Sequence, residues 1–532
     1  MYDYVIVGAG SAGCVLAARL TEDPDVSVAL IEAGPPDSAD LIHIPAAFSA
    51  LFRTQHDWDH STVWEPHCNN RRVYLPRGKM LGGSSSINAM IYIRGHRADY
   101  DEWRDEGCEG WGFDDLLPYF IRAEDNERGA DEYHGAGGPL RVSEGRSRNP
   151  MSQAFIDAAI ADGMPANDDF NGAEQDGVGW YQVTQRDGAR GSVAVSYLHP
   201  IINRPNLTVE TYVYALGIEF DGTRAVGVRG ERLGEELDFR AEREVIVCGG
   251  AYNSPQLLML SGIGRPDELE LLQIPVVAEV PGVGLNLHDH PNAGCIWLSD
   301  QEISLLGALN DDNLALFEQG QGPLTSTVAE AGGFARTREG LEAPDIQFHF
   351  APAVFASEGL VPAQEHGLSL GACVLKPRSR GQVVIGSPDP TAKPIIVHNY
   401  YEDPEDVRSA IAGVRLCMEI AQHSPLADFI SAPHMVPASD SDEDIAAFMR
   451  GHMQTLYHPV GTCKMGTDEL AVVDTELRVR GVEGLRVVDA SVMPKVPRGN
   501  TNAPTIAVAE KAADLIRGKA APAAEAAHEA VA

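Results

Sequence analysis

A chain of 532 residues is too long for one ordinary hydrophobic core and points to two domains. The net charge of −36, from 41 basic and 77 acidic residues, argues against nucleic-acid or anionic-lipid partners. No stretch approaches the roughly 18 uncharged apolar residues of a membrane span. The first residues form an apolar strand with no basic segment before it, so no secretory signal is expected. Eight cysteines without C-x-x-C spacing suit free thiols in a reducing cytosol. The expected location is therefore cytoplasmic, with peripheral membrane attachment left open by charge alone.

Tyr4 to Val7 reads as a buried parallel strand. Gly8, Gly10 and Gly13 follow as G-x-G-x-x-G, opening a helix from Ala12 to Leu20. Gly8 permits the tight turn, Gly10 lets the backbone approach a pyrophosphate, and Gly13 lets helix pack on strand. The helix start beside Ser11 offers unpaired N–H groups and a positive dipole end to phosphates. Ser27 to Ile31 is the second strand, and Glu32 at its end is placed for a ribose diol. These residues predict a dinucleotide site without choosing between FAD and NAD.

A long stretch then leads to Arg77–Met90, whose small residues Gly82 to Ser86 would lie against a flat ring or phosphate, with Asn88 pinning the next segment of chain. Trp103 to Gly145 reads as helices and loops. Asn206 to Val228 alternates as strands with a turn at Asp221-Gly222. Glu244 to Cys248 is a further buried strand, and Ser254-Pro255 looks like an N-cap and first-turn pair for a helix from Gln256 to Leu260. Leu485 to Ala490 is a last buried strand and Thr505 to Ile516 a last helix. The expected fold is α/β, with a discontinuous Rossmann-type dinucleotide-binding domain (1–100, 195–300, 460–518) and an inserted α+β substrate domain (101–194, 301–459). The Ala-rich tail, 519–532, carries no packing pattern and is expected to be disordered.

Two C-terminal segments carry chemistry: Tyr457-His458-Pro459-Val460-Gly461-Thr462 and Asn500-Thr501-Asn502. A neutral imidazole can take a hydroxyl proton near pH 7, and a carboxamide can orient the oxygen. Asn502-Ala503-Pro504-Thr505 opens the last helix, whose dipole could stabilise negative charge on a reduced cofactor. His288-Asp289-His290 invites a metal reading, but no further ligands accompany it; a loop beside the cofactor is expected, and no metal.

Taken in order, the glycine fingerprint, Arg77–Asn88, Gly250–Gly264, His458–Thr462 and Val488–Thr505 resemble the glucose–methanol–choline (GMC) family of flavin oxidoreductases, over residues 1–518. Within it the chain is similar to bacterial alkanol and choline dehydrogenases. The resemblance implies FAD, with Gly8, Gly10, Ser11 and Gly13 at the dinucleotide and Glu32 on the adenosine ribose. It implies Gly83, Ser84 and Asn88 beside flavin and diphosphate, Val213 against adenine, Asp489 and Ala490 near the ribityl chain, and Thr501 also at the cofactor. Where some choline oxidases carry a flavin-linking histidine this chain has Ile87, so non-covalent FAD is expected. His458 matches the family's catalytic base and Asn500 its partner. His349 matches a second pocket histidine, Glu330 could face the pocket, and Leu456 lines it.

The function expected is oxidation of a primary alcohol to an aldehyde by hydride transfer to flavin N5, with electrons passed to a quinone or other acceptor. Choline dehydrogenation and an oxygen-using oxidase of aryl or furanic alcohols are the alternatives, and a non-redox lyase on the same scaffold is a third class. The oligomeric state, a homo-oligomer included, stays open.

Overall fold

A computed structural model describes residues 1–522; of the expected disordered tail, 523–532 lie outside the described residues. Five parallel strands form the heart of the first sheet, in the order Leu207–Glu210, Val28–Ile31, Tyr2–Val7, the end of Glu235–Val247, and Leu485–Val487. Val5, Ile6, Ala29, Leu30 and Val245 to Val247 are all buried, the continuous apolar pattern of strands covered on both faces. The first half of Glu235–Val247 pairs antiparallel with Arg224–Arg232, which pairs with Tyr214–Asp221 across a turn at Gly222. The strand expected at Glu244–Cys248 is thus the end of a longer one that belongs to two layers.

One helix packs on this sheet and a second packs against that helix. Ser11–Leu20 presents Ala12, Gly13, Ala17 and Ala18, all buried, and Asn502–Arg517 presents Ala503, Ala507, Ala509 and Ala513. Such small side chains allow close helix packing. Glu510, inside this contact, accepts bonds from Arg19, Arg122 and Tyr197, tying together the first helix, Phe113–Ala123, the Ala194–Leu198 turn and the last helix.

The second sheet is antiparallel, in the order Ala432–Met435, Pro291–Leu298, Gly367–Val374, Ile346–Ala351, Ala331–Ala335, Gly177–Trp180. Its back carries Pro404–Ile420, where Val414, Cys417 and Ile420 join the core formed by Ile346, Phe348, Leu370 and Ala372. Its other face looks towards the first domain. The architecture is therefore a Rossmann-type nucleotide domain with an α+β substrate domain.

One local expectation is corrected. Ser254 is not an N-cap: the helix already begins at Gly250 and runs to Leu260 with Pro255 inside it. Pro255 has no N–H for the carbonyl four residues back. That carbonyl, of Ala251, accepts instead from Thr462 Oγ1 at 2.6 Å, and Ser254 Oγ donates to Asp489. A distant loop supplies what the proline withholds.

Candidate active site

A cavity of about 350 Å³ runs from the end of the first strand to the face of the second sheet. Of the residues singled out in the sequence, Gly8, Gly10, Ser11, Glu32, Gly83, Ser84, Asn88, Val213, Asp489, Ala490 and Thr501 line its nucleotide-domain part, and His349, Leu456, His458 and Asn500 its other end. Gly13 and Glu330 do not line it.

The nucleotide end is shaped by missing side chains. A Cβ on Gly13 would sit 2.0 Å from Gly8 O, so Gly13 serves strand–helix packing, away from the cavity. A Cβ on Gly83, at φ 51, would sit 2.6 Å from Gly10 Cα, so the two glycine turns can touch only because Gly83 is bare. A Cβ on Gly10 would lie 3.9 Å from Gly83 Cα, in ordinary contact. The starts of the first and last helices meet here, with Ser11 Oγ donating to Asn502 Oδ1 at 2.7 Å, so two positive dipole ends face one cleft.

Glu32 is buried and accepts from Ala9 N and Gly34 N, each at 2.9 Å; burial pushes its pKa up to about 7. Asp489 accepts from Gly250 N at 2.8 Å and from Ser491 N at 2.8 Å, fixing the start of the Gly250 helix against the last strand. A long cleft with glycine turns, two helix starts and a carboxylate at a strand end fits FAD.

At the other end His458 is 7% exposed. Its backbone N–H donates to Asp289 Oδ1 at 2.7 Å, and Asp289 also accepts from His290 N, Tyr400 OH and Thr455 Oγ1. Arg77 donates to Tyr457 O at 2.7 Å, holding the preceding residue in a left-handed conformation at φ 69. The His458 side chain meets His290 Nδ1 through Nδ1 at 3.0 Å and Asn500 Nδ2 through Nε2 at 3.3 Å.

The tautomers are set by these contacts. His290 Nε2 lies 3.1 Å from Leu375 O, which can only accept, so Nε2 carries the hydrogen. Burial holds His290 neutral, at a pKa of about 4, so its Nδ1 is a bare acceptor. His458 Nδ1 must then be the donor, and its Nε2 keeps the lone pair. Burial, then His290, His349 and Arg77, push the His458 pKa well below the ordinary histidine range, which keeps that lone pair available. Asn500 Oδ1 accepts from Gln347 Nε2 at 3.3 Å, so its Nδ2 faces His458.

His349 lies on Ile346–Ala351, paired with Gly371, and presents both ring nitrogens without a protein partner among the described residues; burial pulls its pKa to about 3. Glu330 is a correction to the expected pocket. Its carboxylate faces away and is satisfied by Ser147 Oγ, Ser326 Oγ, Ser152 Oγ and Asn149 N. The only carboxylates along the cavity among the described residues are Glu32 and Asp489, both at the nucleotide end.

The His-Asp-His triplet proves to be a scaffold. His288 donates from Nδ1 to Asn286 O and accepts at Nε2 from Val496 N, Asp289 anchors His458, and His290 sets its tautomer. Sequence reasoning marked the triplet and missed the last two tasks, which depend on contacts 168 and 169 residues away. It also missed Gln347 behind Asn500 and the aromatic wall of Phe48, Phe52, Trp58 and Phe355.

Residues 2–292 and 377–509 match the N- and C-terminal parts of the family described as GMC oxidoreductase. The chain is a GMC oxidoreductase. It is 45% identical to mouse mitochondrial choline dehydrogenase, over 97% of this chain and 89% of that one. It is 43% identical to the Pseudomonas putida alcohol dehydrogenase (acceptor), over 97% and 96% of the two chains. Among solved structures, pyridoxine 4-oxidase from Mesorbium loti superposes with a TM-score of 0.90 at 32% identity, covering 98% of this chain and all of that one. As a GMC oxidoreductase the chain is an FAD-dependent enzyme. No described helix is long and apolar enough to cross a membrane.

Proposed function

We propose that this GMC oxidoreductase oxidises an uncharged primary alcohol, aliphatic by the character of its cavity, to the aldehyde. The observation that carries this reading is the convergence of one lone pair, His458 Nε2, and one donor, Asn500 Nδ2, at 3.3 Å in the cavity. A hydroxyl seated between them donates its proton to His458 and accepts from Asn500, replacing their long mutual contact. As the proton leaves, the imidazolium stays hydrogen-bonded to His290, while the Asp289 carboxylate holds the His458 backbone in register. Bound FAD supplies the hydride acceptor, N5. Gly10, Gly83, Ser84 and Asn88 would hold it, with the starts of the first and last helices towards its charged parts.

Non-covalent attachment is supported by Ile87, an unreactive side chain, at the cavity wall. Transfer of the electrons to a separate acceptor, which we take to be a quinone or similar carrier, is supported by the name of the Pseudomonas putida relative, an alcohol dehydrogenase (acceptor). Preference for an uncharged alcohol is supported by the lack, among the described residues, of a carboxylate at the His458 end and by apolar Ile296, Met435 and Leu456 there. The choline reading keeps two supports: the 45% identity to the mouse enzyme named choline dehydrogenase, and Phe48, Phe52 and Tyr457 at the wall, aromatic faces of the kind that attract an ammonium. Mixing the flavoprotein anaerobically with 1-octanol, benzyl alcohol or choline and following flavin absorbance tests the choice. Rapid bleaching by octanol with little by choline is expected; choline-selective bleaching would reverse the assignment.

A further inference from the structure

Arg190 is 2% exposed, yet among the described residues no carboxylate accepts from its guanidinium. Its hydrogen bonds go to neutral oxygens: Ile42 O at 2.7 Å, Ser85 O at 3.2 Å, Asn88 O at 2.6 Å and Asn88 Oδ1 at 3.0 Å. Nη2 has no partner among the described residues. Buried charges are ordinarily paired, because an uncompensated one costs several kcal/mol. In a chain with 77 acidic residues the lack of a partner acid is informative. Burial alone acts on the group, pulling its pKa to about 9, so it stays charged at neutral pH.

What Arg190 holds is the wall of the cofactor cleft. Its bonds gather the Gly83–Ser86 turn and the residues after it, and Ser84, Ile87 and Asn88 line the cavity. Asn88 Oδ1 is used twice within the protein, by Arg190 Nη1 and by Met90 N at 3.0 Å. The carboxamide cannot flip without placing its NH₂ against two donors. Its Nδ2 is left as a free donor on a residue that faces the cavity.

We propose that Arg190 is a positioning residue of the flavin site: it locks Asn88 as a donor towards the flavin, and its uncompensated charge makes the site favour an anionic flavin. This rests on FAD binding and is independent of which alcohol is oxidised.

Sulfite is a suitable probe. Its sulfur lone pair forms a bond to flavin N5, and the displaced electron pair leaves negative charge on the pyrimidine ring, with no other reactant. Holoenzyme carrying R190Q should bleach with sulfite at least about tenfold more weakly than wild type, the worth of one charge-assisted hydrogen bond. Its flavin midpoint potential should move to more negative values. R190K, which keeps the charge but not the fork of donors, should fall between R190Q and wild type. If R190Q is isolated without flavin, N88L reads the same donor while leaving the Arg190 bonds to Ile42 O and Ser85 O, and a comparable loss is expected. FAD-loaded R190Q or N88L with wild-type sulfite affinity and potential would overturn the proposal. R190K falling as far as R190Q would overturn the charge assignment.

Discussion

His290 and His458 meet Nδ1 to Nδ1 at 3.0 Å, with their rings 88° apart. Two bare nitrogens at that distance would repel, so one must carry hydrogen, and the carbonyl of Leu375 at the far side of His290 decides which. The buried imidazole behind the base therefore fixes the base's tautomer. A carboxylate there would do the same while favouring the imidazolium; a neutral histidine leaves the base weak enough to stay unprotonated before substrate arrives.

Removing that orientation should slow the chemistry while leaving the cofactor in place. His290→Leu is expected to lower the rate of flavin reduction about 10- to 100-fold with an unchanged FAD content. His290→Gln, whose amide oxygen can still accept from His458 Nδ1, should recover part of the loss. Stopped-flow absorbance on both variants checks this, and a His290→Leu enzyme as fast as wild type would remove the tautomer argument.

The pH dependence is dictated by the direction of the His458 shift. The base works when neutral, and its folded-state pKa lies well below the ordinary value of 6.5. Flavin reduction should then hold its rate as pH falls through the ordinary histidine range and decline only below it. The same depression means that protonation in the unfolded chain opposes folding: the contribution of neutral His458 to stability is present above about pH 6.5 and lost as pH falls below it. A rate profile with its acid limb centred at 6.5 or above would contradict the burial argument.

Glu330 gives a prediction in the opposite sense from its expected role. Its carboxylate joins the loop at Ser147 and Asn149, the start of helix Pro150–Ala161 at Ser152, and its own turn at Ser326. Glu330→Gln should cost roughly 1–3 kcal/mol of stability, by leaving buried donors poorly matched. The ratio of octanol to choline activity should not move. Thermal unfolding beside the two activities checks it; a selective loss of choline turnover at unchanged stability would return Glu330 to the pocket.

Much of this site was legible because its chemistry sits in short local patterns. The glycines at 8, 10 and 13 stand at a fixed local spacing, Gly13 answering a steric demand from Gly8 itself, and Glu32 follows its strand directly. The His458 and Asn500 segments carried their assignment through motifs recognisable one residue at a time. Side-chain direction was less legible. Glu330 stands just before the strand Ala331–Ala335 and after Val328, whose left-handed φ of 67 turns the chain, so alternation along the strand could not tell which way the acid faces. Ser254-Pro255 has the composition of a helix start, yet the helix had already begun, because Thr462 caps the carbonyl that the proline leaves free. Arg190, among small residues in a short hairpin, gains its meaning only from Ile42, Ser85 and Asn88, about 100 or more residues earlier.

The most direct test is anaerobic reduction of the bound flavin by a primary alcohol, comparing wild type with His458→Ala at equal FAD content. Wild-type flavin is expected to bleach rapidly, and the variant to keep its flavin and reduce it about 10²- to 10⁴-fold more slowly, the range for loss of a positioned general base. Near-normal reduction in His458→Ala would show that the hydroxyl proton leaves by another route and would contradict the assignment.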